Sequence, residues 1–367
     1  MTLPIRVMLV DDSAVVRGVI SRILSREENI EIVASVSNGA QAIAGIERYA
    51  PDVMTLDVEM PVMDGITALP QLLKASPHTK IIMCSTLTER NGQIAMKALE
   101  LGATETIAKP TSANELLHGE NFEEQIVRLV RSLGRIAQKE NNKGASLSQQ
   151  AAAARSSEQK PLQKKSWSLN TNPGAYKGKP ALIAIGSSTG GPQALFNVLS
   201  HFRGFDVPVI VTQHMPATFT AILAQHISKK AGIEAFEGAE GMVLEKGKVY
   251  VAPGGFHMLL KKQGTDTVIT LGDGPQENFV KPSVDPMLRS AIGIYGNKVL
   301  GVMLTGMGAD GLPSFRDLVK AGGRVIAQDE KTSVVWGMPG AVAEDSLCSA
   351  VLPLDEIGPW VKQRMML

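Results

Sequence analysis

Short apolar runs, each leading into a stretch with helical spacing, recur through this chain and restrict it to an α/β architecture. IRVMLV (5–10) precedes VVRGVISRILS, EIVASV precedes NGAQAIAGIERY, and DVMTLD, KIIMCS and TETIAK continue the series to a closing helix around EEQIVRLVRSL. Runs this apolar suit strands covered on both faces, as in a parallel sheet. The alternation stops near residue 137 and resumes at 181 with ALIAIG, a helix from Gln193, VPVIVTQ, FTAILAQHISKKAG and KVYVAP. Two alternating runs in HMLLKKQGTDTVITLG flank a Gly-Thr-Asp turn and read as an antiparallel hairpin. A helix near DPMLRSAIGIYG, strand KVLGVMLT, helix SFRDLVKAG, strand RVIAQ and a last helix follow. The expectation is two doubly wound parallel-sheet domains, 1–137 and 181–367, the second with a hairpin excursion.

Between them, residues 138–180 hold 8 Lys+Arg against 2 Asp+Glu and few branched apolar residues, so this stretch is expected to be a flexible basic linker. The domains themselves are mildly acidic, which does not favour nucleic acid as a partner. The longest apolar runs are too short to cross a bilayer, and the N-terminus lacks the pattern of a secretion signal, so direct membrane insertion is not expected and a cytoplasmic setting is. Cys84 and Cys348, far apart and beside aliphatic residues, read as buried reduced thiols.

In the first domain the polar residues gather where strands end. Asp11 and Asp12 close the first strand, Asp57 the third and Lys109 the fifth, while Ser85 and Thr86 follow the fourth. Ligands of open α/β sheets bind at that edge. Three carboxylates together repel one another unless a hard cation lies between them, and Mg²⁺ fits by its preference for oxygen. The DD pair, D-x-x-M-P-x-M-D-G at 57–65 and K-P at 109–110 resemble a response-regulator receiver domain. That resemblance implies Asp57 as phospho-acceptor, Asp11, Asp12 and the Glu59 carbonyl near the magnesium, and Lys109 pairing with the phosphoryl group. Ser85 is the favoured switch hydroxyl, with Thr86 the alternative.

In the second domain GSSTGG (186–191) follows a strand and opens a helix. A phosphate-binding reading wants Gly-Lys-Ser/Thr or G-x-G-x-x-G, and neither is present. The run fits G-x-S-x-G, which places a nucleophilic serine on a strand-to-helix turn and selects Ser188 over Ser187. His214 closes the adjacent strand in QHMP, on the same edge. The chain has six histidines, and among them only His257 is a rival. LTGMGADG (304–311) is another strand end running into a glycine-rich turn, and its Asp310 is preferred to Asp273, Asp285 and Asp329 because it shares that edge. Ser188, His214 and Asp310 then make a Ser–His–Asp set in an order unlike that of ordinary α/β-hydrolases.

Together with A-P-G-G-x-H-M at 252–258, these motifs resemble the bacterial chemotaxis protein-glutamate methylesterases. The resemblance implies a flavodoxin-like receiver joined to a Rossmann-like catalytic domain that hydrolyses glutamate γ-methyl esters on chemoreceptors, with deamidation of certain glutamines besides. It implies the Met307 N–H at the oxyanion, Thr189 orienting the histidine, and no cofactor for the esterase step. It also implies a chemotaxis histidine kinase as phosphodonor and methyl-accepting chemoreceptors as substrates, in the service of adaptation. The alternative is a response regulator with a nucleotide- or DNA-binding output domain.

Overall fold

A computed structural model describes residues 3–86, 88–109, 120–152, 168–170, 176 and 178–365. The chain divides into two compact units, Met1–Lys164 and Lys165–Leu367.

The first unit is built on β1 (Ile5–Val10), β2 (Ile30–Val36), β3 (Val53–Asp57), β4 (Lys80–Ser85) and β5 (Glu105–Ala108). They form one parallel sheet in the order β2-β1-β3-β4-β5, the flavodoxin-like arrangement. The helices are α1 (Ala14–Leu24), α2 (Gly39–Tyr49), α3 (Gly65–Ala75), α4 (Glu89–Glu100) and α5 (Glu120–Ala152). Three begin at side-chain caps that satisfy an otherwise unpaired N–H of the first turn. Ser13 accepts from Val16 N, Asn38 from Gln41 N and Asp64 from Thr67 N. The last two residues of the D-x-x-M-P-x-M-D-G run are thereby explained locally. Asp64 caps α3, and Gly65 lies so close to the Asp57 carbonyl that an added Cβ would sit 2.0 Å from its oxygen. Val7, Leu9, Met54, Leu56, Ile81 and Met83 fill the sheet. Helix α5 continues past residue 137 to Ala152, so the first part of the basic stretch is helical.

The second unit has a seven-stranded sheet of β6 (Leu182–Ser187), β7 (Val209–Gln213), β8 (Ala235–Glu237), β9 (Val249–Val251), β12 (Val299–Met303), β13 (Arg324–Gln328) and β14 (Ala350–Leu352). Its order is β14-β13-β12-β6-β7-β9-β8 and every pairing is parallel. From β6 the chain winds one way through β7, then returns to β12 on the other side, so the strand order reverses between β6 and β12. Helices α6 (Gly191–Leu199), α7 (Ala217–Ala231), α8 (Val284–Tyr295), α9 (Leu312–Lys320), α10 (Met338–Glu344) and α11 (Leu354–Met365) surround the sheet. The expected hairpin is present as β10 (His257–Gln263) and β11 (Asp266–Gly272), antiparallel about Gly264-Thr265, with Gly264 at φ +61°. Met258, Leu260 and Ile269 carry it into the core beside Leu288 and Ala291 of α8. Two backbone bonds fasten the entering chain to this unit, Asn170 N to Cys348 O and Tyr176 N to Gly322 O, both 2.8 Å. Cys84 and Cys348 are buried and free, and burial pushes both thiols up to about 12, well away from thiolate chemistry. Among the described residues no helix is long and apolar enough to cross a membrane.

Candidate active site and phospho-acceptor site

The carboxyl ends of β6, β7 and β12 meet at the point where the strand order reverses, where open α/β sheets take their ligands. Ser187 and Gln213 are register partners at the ends of β6 and β7, so Ser188 and His214 leave the sheet at the same level. Gln213 ties the two exits together. Its Oε1 accepts from Ser187 Oγ at 2.7 Å, and its Nε2 donates to the carbonyls of Ser188 and His214 at 2.9 and 3.1 Å. An added Cβ at Gly191 would stand 1.9 Å from Gln213 Oε1, so the α6 turn comes this close only with glycine there. The left-handed residue of the turn is Gly190, φ +76°, the cap of α6, a conformation glycine adopts without strain, and Ser188 is not among the positive-φ residues.

These contacts separate the two serines. Ser187 is fully buried and its hydroxyl is committed to Gln213, while Ser188 is half-buried and its Oγ has no hydrogen bond among the described residues. On the other flank, Ser188 N donates to Thr305 O at 3.0 Å, and Gly306 packs so closely that an added Cβ would be 2.9 Å from Ser188 Cβ. Thr305 Oγ1 donates to the Thr189 carbonyl at 2.9 Å, fixing the residue after the serine.

His214 Nε2 lies 2.7 Å from Asp310 Oδ2. Asp310 is 3% exposed, and each of its oxygens has two donors. Oδ2 also accepts from Val284 N at 2.7 Å, and Oδ1 accepts from Ser283 Oγ at 2.6 Å and Asn278 Nδ2 at 2.8 Å. Burial alone would raise this carboxyl, but the His214 contact and the Ser283 and Val284 bonds outweigh it and hold Asp310 below the ordinary carboxylate value. It is therefore a fixed negative charge at neutral pH. Asp310 does not cap α9, whose cap position belongs to Gly311 at φ +89°. Its side chain reaches instead to the start of α8.

The rival residues are otherwise engaged. His257 is buried with both ring nitrogens on the backbone: Nε2 donates to Pro275 O at 2.9 Å and Nδ1 accepts from Ser283 N at 3.2 Å. Asp273 pairs with Lys281 on the surface and Asp329 accepts from Thr332 N and Oγ1. Asp285 is buried one layer behind the site, accepting from Ser314 N and Oγ, Gly311 N and Asn278 Nδ2. Sequence reasoning missed Gln213, Asn278 and Ser283. Ser283 alone carried a signal, as the residue before V-D-P at a helix start, and the structure makes it the α8 cap. Thr189 is buried beside the serine, and Met307 is half-buried in the β12–α9 turn.

In the first unit Lys109 Nζ lies 2.6 Å from Asp11 Oδ2 and 2.7 Å from Asp57 Oδ1. Ligand atoms of Asp11, Asp12 and Asp57 all fall within 4.8 Å of one another. Burial, opposed by Lys109, pushes the Asp57 carboxyl up to about 6. For Lys109, burial pulls downward, but the two carboxylates outweigh it and keep the ammonium above its usual value. Asp11 Oδ2 is buried, has the lysine ion pair and no aligned hydrogen-bond donor, which leaves it suited to a cation. Ser85 ends β4 with its side chain buried, beside Ala108 in register and under the Lys109 N–H, which donates to the Ser85 carbonyl at 2.7 Å. Thr86 is exposed, as is Glu59 on the β3–α3 loop.

Comparison with known proteins adds to this geometry. Residues 183–361 match the family model for the CheB methylesterase domain, and residues 7–119 match that for the response regulator receiver domain. The chain is 50% identical over 365 residues to a protein-glutamate methylesterase/protein-glutamine glutaminase of Paramagnetospirillum magneticum, covering 97% of this chain and 95% of that protein. It is 48% identical over 366 residues to the protein of the same name from Azospirillum brasilense, covering 98% and 92%. Among solved structures it is similar to the CheB methylesterase catalytic domain of Thermotoga maritima, at 38% identity and a TM-score of 0.49, covering 51% of this chain and 99% of that one.

Proposed function

Because this chain belongs to the family of receiver-linked protein-glutamate methylesterase/protein-glutamine glutaminases, we propose that it hydrolyses glutamate γ-methyl esters on chemoreceptors, and deamidates certain glutamines, with Ser188, His214 and Asp310 as the reacting set. The observation that carries this reading is the 2.7 Å contact of His214 Nε2 with a buried, fully satisfied carboxylate beside an unengaged serine hydroxyl.

With Nε2 held by Asp310, Nδ1 is the nitrogen that serves Ser188. Ser188 Oγ attacks the ester carbonyl while Nδ1 accepts its proton, and the imidazolium returns that proton to the departing methoxide, releasing methanol. A water molecule, deprotonated by the same nitrogen, then attacks the acyl-enzyme, and the imidazolium returns that proton to the departing Ser188 Oγ, giving the glutamate product and the free serine. Asp310 fixes the ring orientation and stabilises the imidazolium without accepting the proton. The tetrahedral oxyanion is met by backbone N–H groups of Met307 and of the turn at Thr189, whose N–H has no hydrogen bond among the described residues. Buried Thr189 limits the tilt of the histidine. For glutamine the same steps release ammonia.

In the receiver, Asp57 accepts a phosphoryl group from a chemotaxis histidine kinase. Asp11, Asp12, Asp57 and the Glu59 carbonyl would hold Mg²⁺, which would supply the positive charge that offsets the crowded carboxylates at the acceptor. Lys109 then exchanges its Asp57 contact for the phosphoryl oxygens, and Ser85, already buried at the end of β4, is the hydroxyl that follows them, with Thr86 one residue farther out. Residues 1–137 are the regulatory part, 138–180 the joining segment and 181–367 the catalytic part, and the protein works in the cytoplasm. Methanol release from methylated receptor tests the proposal. Ser188→Ala should reduce it by on the order of 10³-fold or more, and a variant with near-normal release would overturn the assignment.

A further inference from the structure

The segment Glu277-Asn278-Phe279-Val280 is a tight turn closed by reciprocal backbone bonds, Glu277 N to Val280 O at 3.2 Å and Val280 N to Glu277 O at 3.1 Å. Both central residues have positive φ, +55° at Asn278 and +63° at Phe279. A two-residue turn of this type calls for Asn-Gly, because a side chain at the second position crowds the left-handed backbone. Asn278 meets that demand. Phe279 violates it, and the ring gains no compensating burial, since Phe279 is 83% exposed. A phenyl group in a strained position, standing in water, has no local structural cause. Strain of this kind collects where a side chain must be presented for use.

Its place gives the use. The Asn278 amide bridges the triad carboxylate and the acid behind it, donating to Asp310 Oδ1 at 2.8 Å and Asp285 Oδ2 at 2.9 Å. The turn is thus pinned to the floor of the reaction site, and Phe279, one residue on, projects from its rim. A second exposed aromatic is tied to the chain that leaves the turn at Lys281. Phe256 is 41% exposed, the Lys281 ammonium lies 5.8 Å from its ring centre, and Gly255 N donates to the Lys281 carbonyl at 3.2 Å. The base of the turn is also braced, by Arg289 gripping Glu277 with two bonds of 2.6 and 2.9 Å.

We propose that Phe279 is a specificity-determining residue that packs against aliphatic side chains flanking the esterified glutamate on the protein substrate, with Phe256 extending the same apolar rim. This rests on the Ser188–His214–Asp310 reading of the cleft. Burying a phenyl ring against apolar partners favours the bound state of a protein substrate, while a small ester that fills only the reaction site has nothing to offer the ring.

The test uses the full-length protein with phosphodonor and compares two substrates, methylated receptor and p-nitrophenyl acetate. Phe279→Gly installs the residue the turn prefers, so its Tm should stay within about 2 °C of wild type or rise. The ratio of receptor to small-ester kcat/KM should fall about tenfold, the free energy of a partly buried ring, with the loss carried by KM for receptor. Phe279→Leu should restore most of that ratio. An unchanged ratio overturns the proposal, and so does a Tm drop beyond about 5 °C with both substrates equally impaired, which would make Phe279 structural. A rise in the rate of the unphosphorylated protein at an unchanged ratio would also overturn it, assigning the ring to regulation. Ser188→Ala, run alongside, should abolish turnover of both substrates, and its failure to do so would count against the triad and not against the ring.

Discussion

At the scale of single residues, the environments of two adjacent serines determine their chemistry. Ser187 Oγ is a buried hydrogen-bond donor to Gln213, so Ser187→Ala leaves Gln213 Oε1 without that donor. The expected cost is about 1–2 kcal/mol of stability, read by urea unfolding, with less than about a tenfold fall in methanol release, against the far larger loss expected for Ser188→Ala. Asp310 makes a different prediction. Its carboxyl titrates below the ordinary range in the folded protein, so the stability it contributes is present above that range and is lost as pH falls through its lowered pKa. Asp310→Asn carries no such contribution. The stability gap between wild type and Asp310→Asn should therefore narrow steadily as pH is lowered from 5 towards 3, followed by the fluorescence of Trp336 and Trp360, both in the second unit. A gap that widens on acidification would mean that Asp310 is not held ionised by its donors.

At the scale of elements, glycines set how closely strand ends and helix starts approach. Gly65→Ala would drive a Cβ to 2.0 Å from the Asp57 carbonyl oxygen, a backbone atom that cannot turn aside. Helix α3 must then shift off the end of β3, at a cost of about 1–3 kcal/mol, and phosphorylation of Asp57 by acetyl phosphate should slow along with the fall in Tm. The sequence displays such demands unevenly. The longer strands β1, β3, β4, β6, β7, β12 and β13 are legible because a sheet covered on both faces needs continuous apolar runs. The three-residue strands β8 and β14 escape notice because three residues at a sheet edge carry no periodic signal. The placement of Ser188, His214 and Asp310 on a common edge was readable because each follows a strand. The bonds that orient them were not. Asn278 and Asp310 are 32 residues apart and meet only because a turn folds back over the cleft. Gln213 beside His214 looks like any polar strand end until its amide is found bonded to three other residues.

For the whole molecule, a receiver domain joined to a methylesterase domain predicts an activity that responds to phosphodonor. Methanol release by the full chain should rise on addition of acetyl phosphate with Mg²⁺, and Asp57→Ala should remain at the basal rate under the same conditions. Beryllofluoride, a phosphoryl mimic, should bind the wild type only with Mg²⁺ present, because Asp11, Asp12 and Asp57 lie too close together to receive another anionic group unaided. Binding that survives both EDTA and Asp57→Ala would remove the acid cluster from the mechanism.

The attachment of His214 through Nε2 bears on how such enzymes are found. A geometric template that demands a serine oxygen near Nε2 and a carboxylate near Nδ1 describes the trypsin-like arrangement and would pass over this molecule, where the far nitrogen already holds the acid. A template that allows the carboxylate at either ring nitrogen retains it. The transferable signature is an imidazole whose two nitrogens face opposite charges of work, one anchored to a buried anion and one left open, whichever way round the ring is mounted.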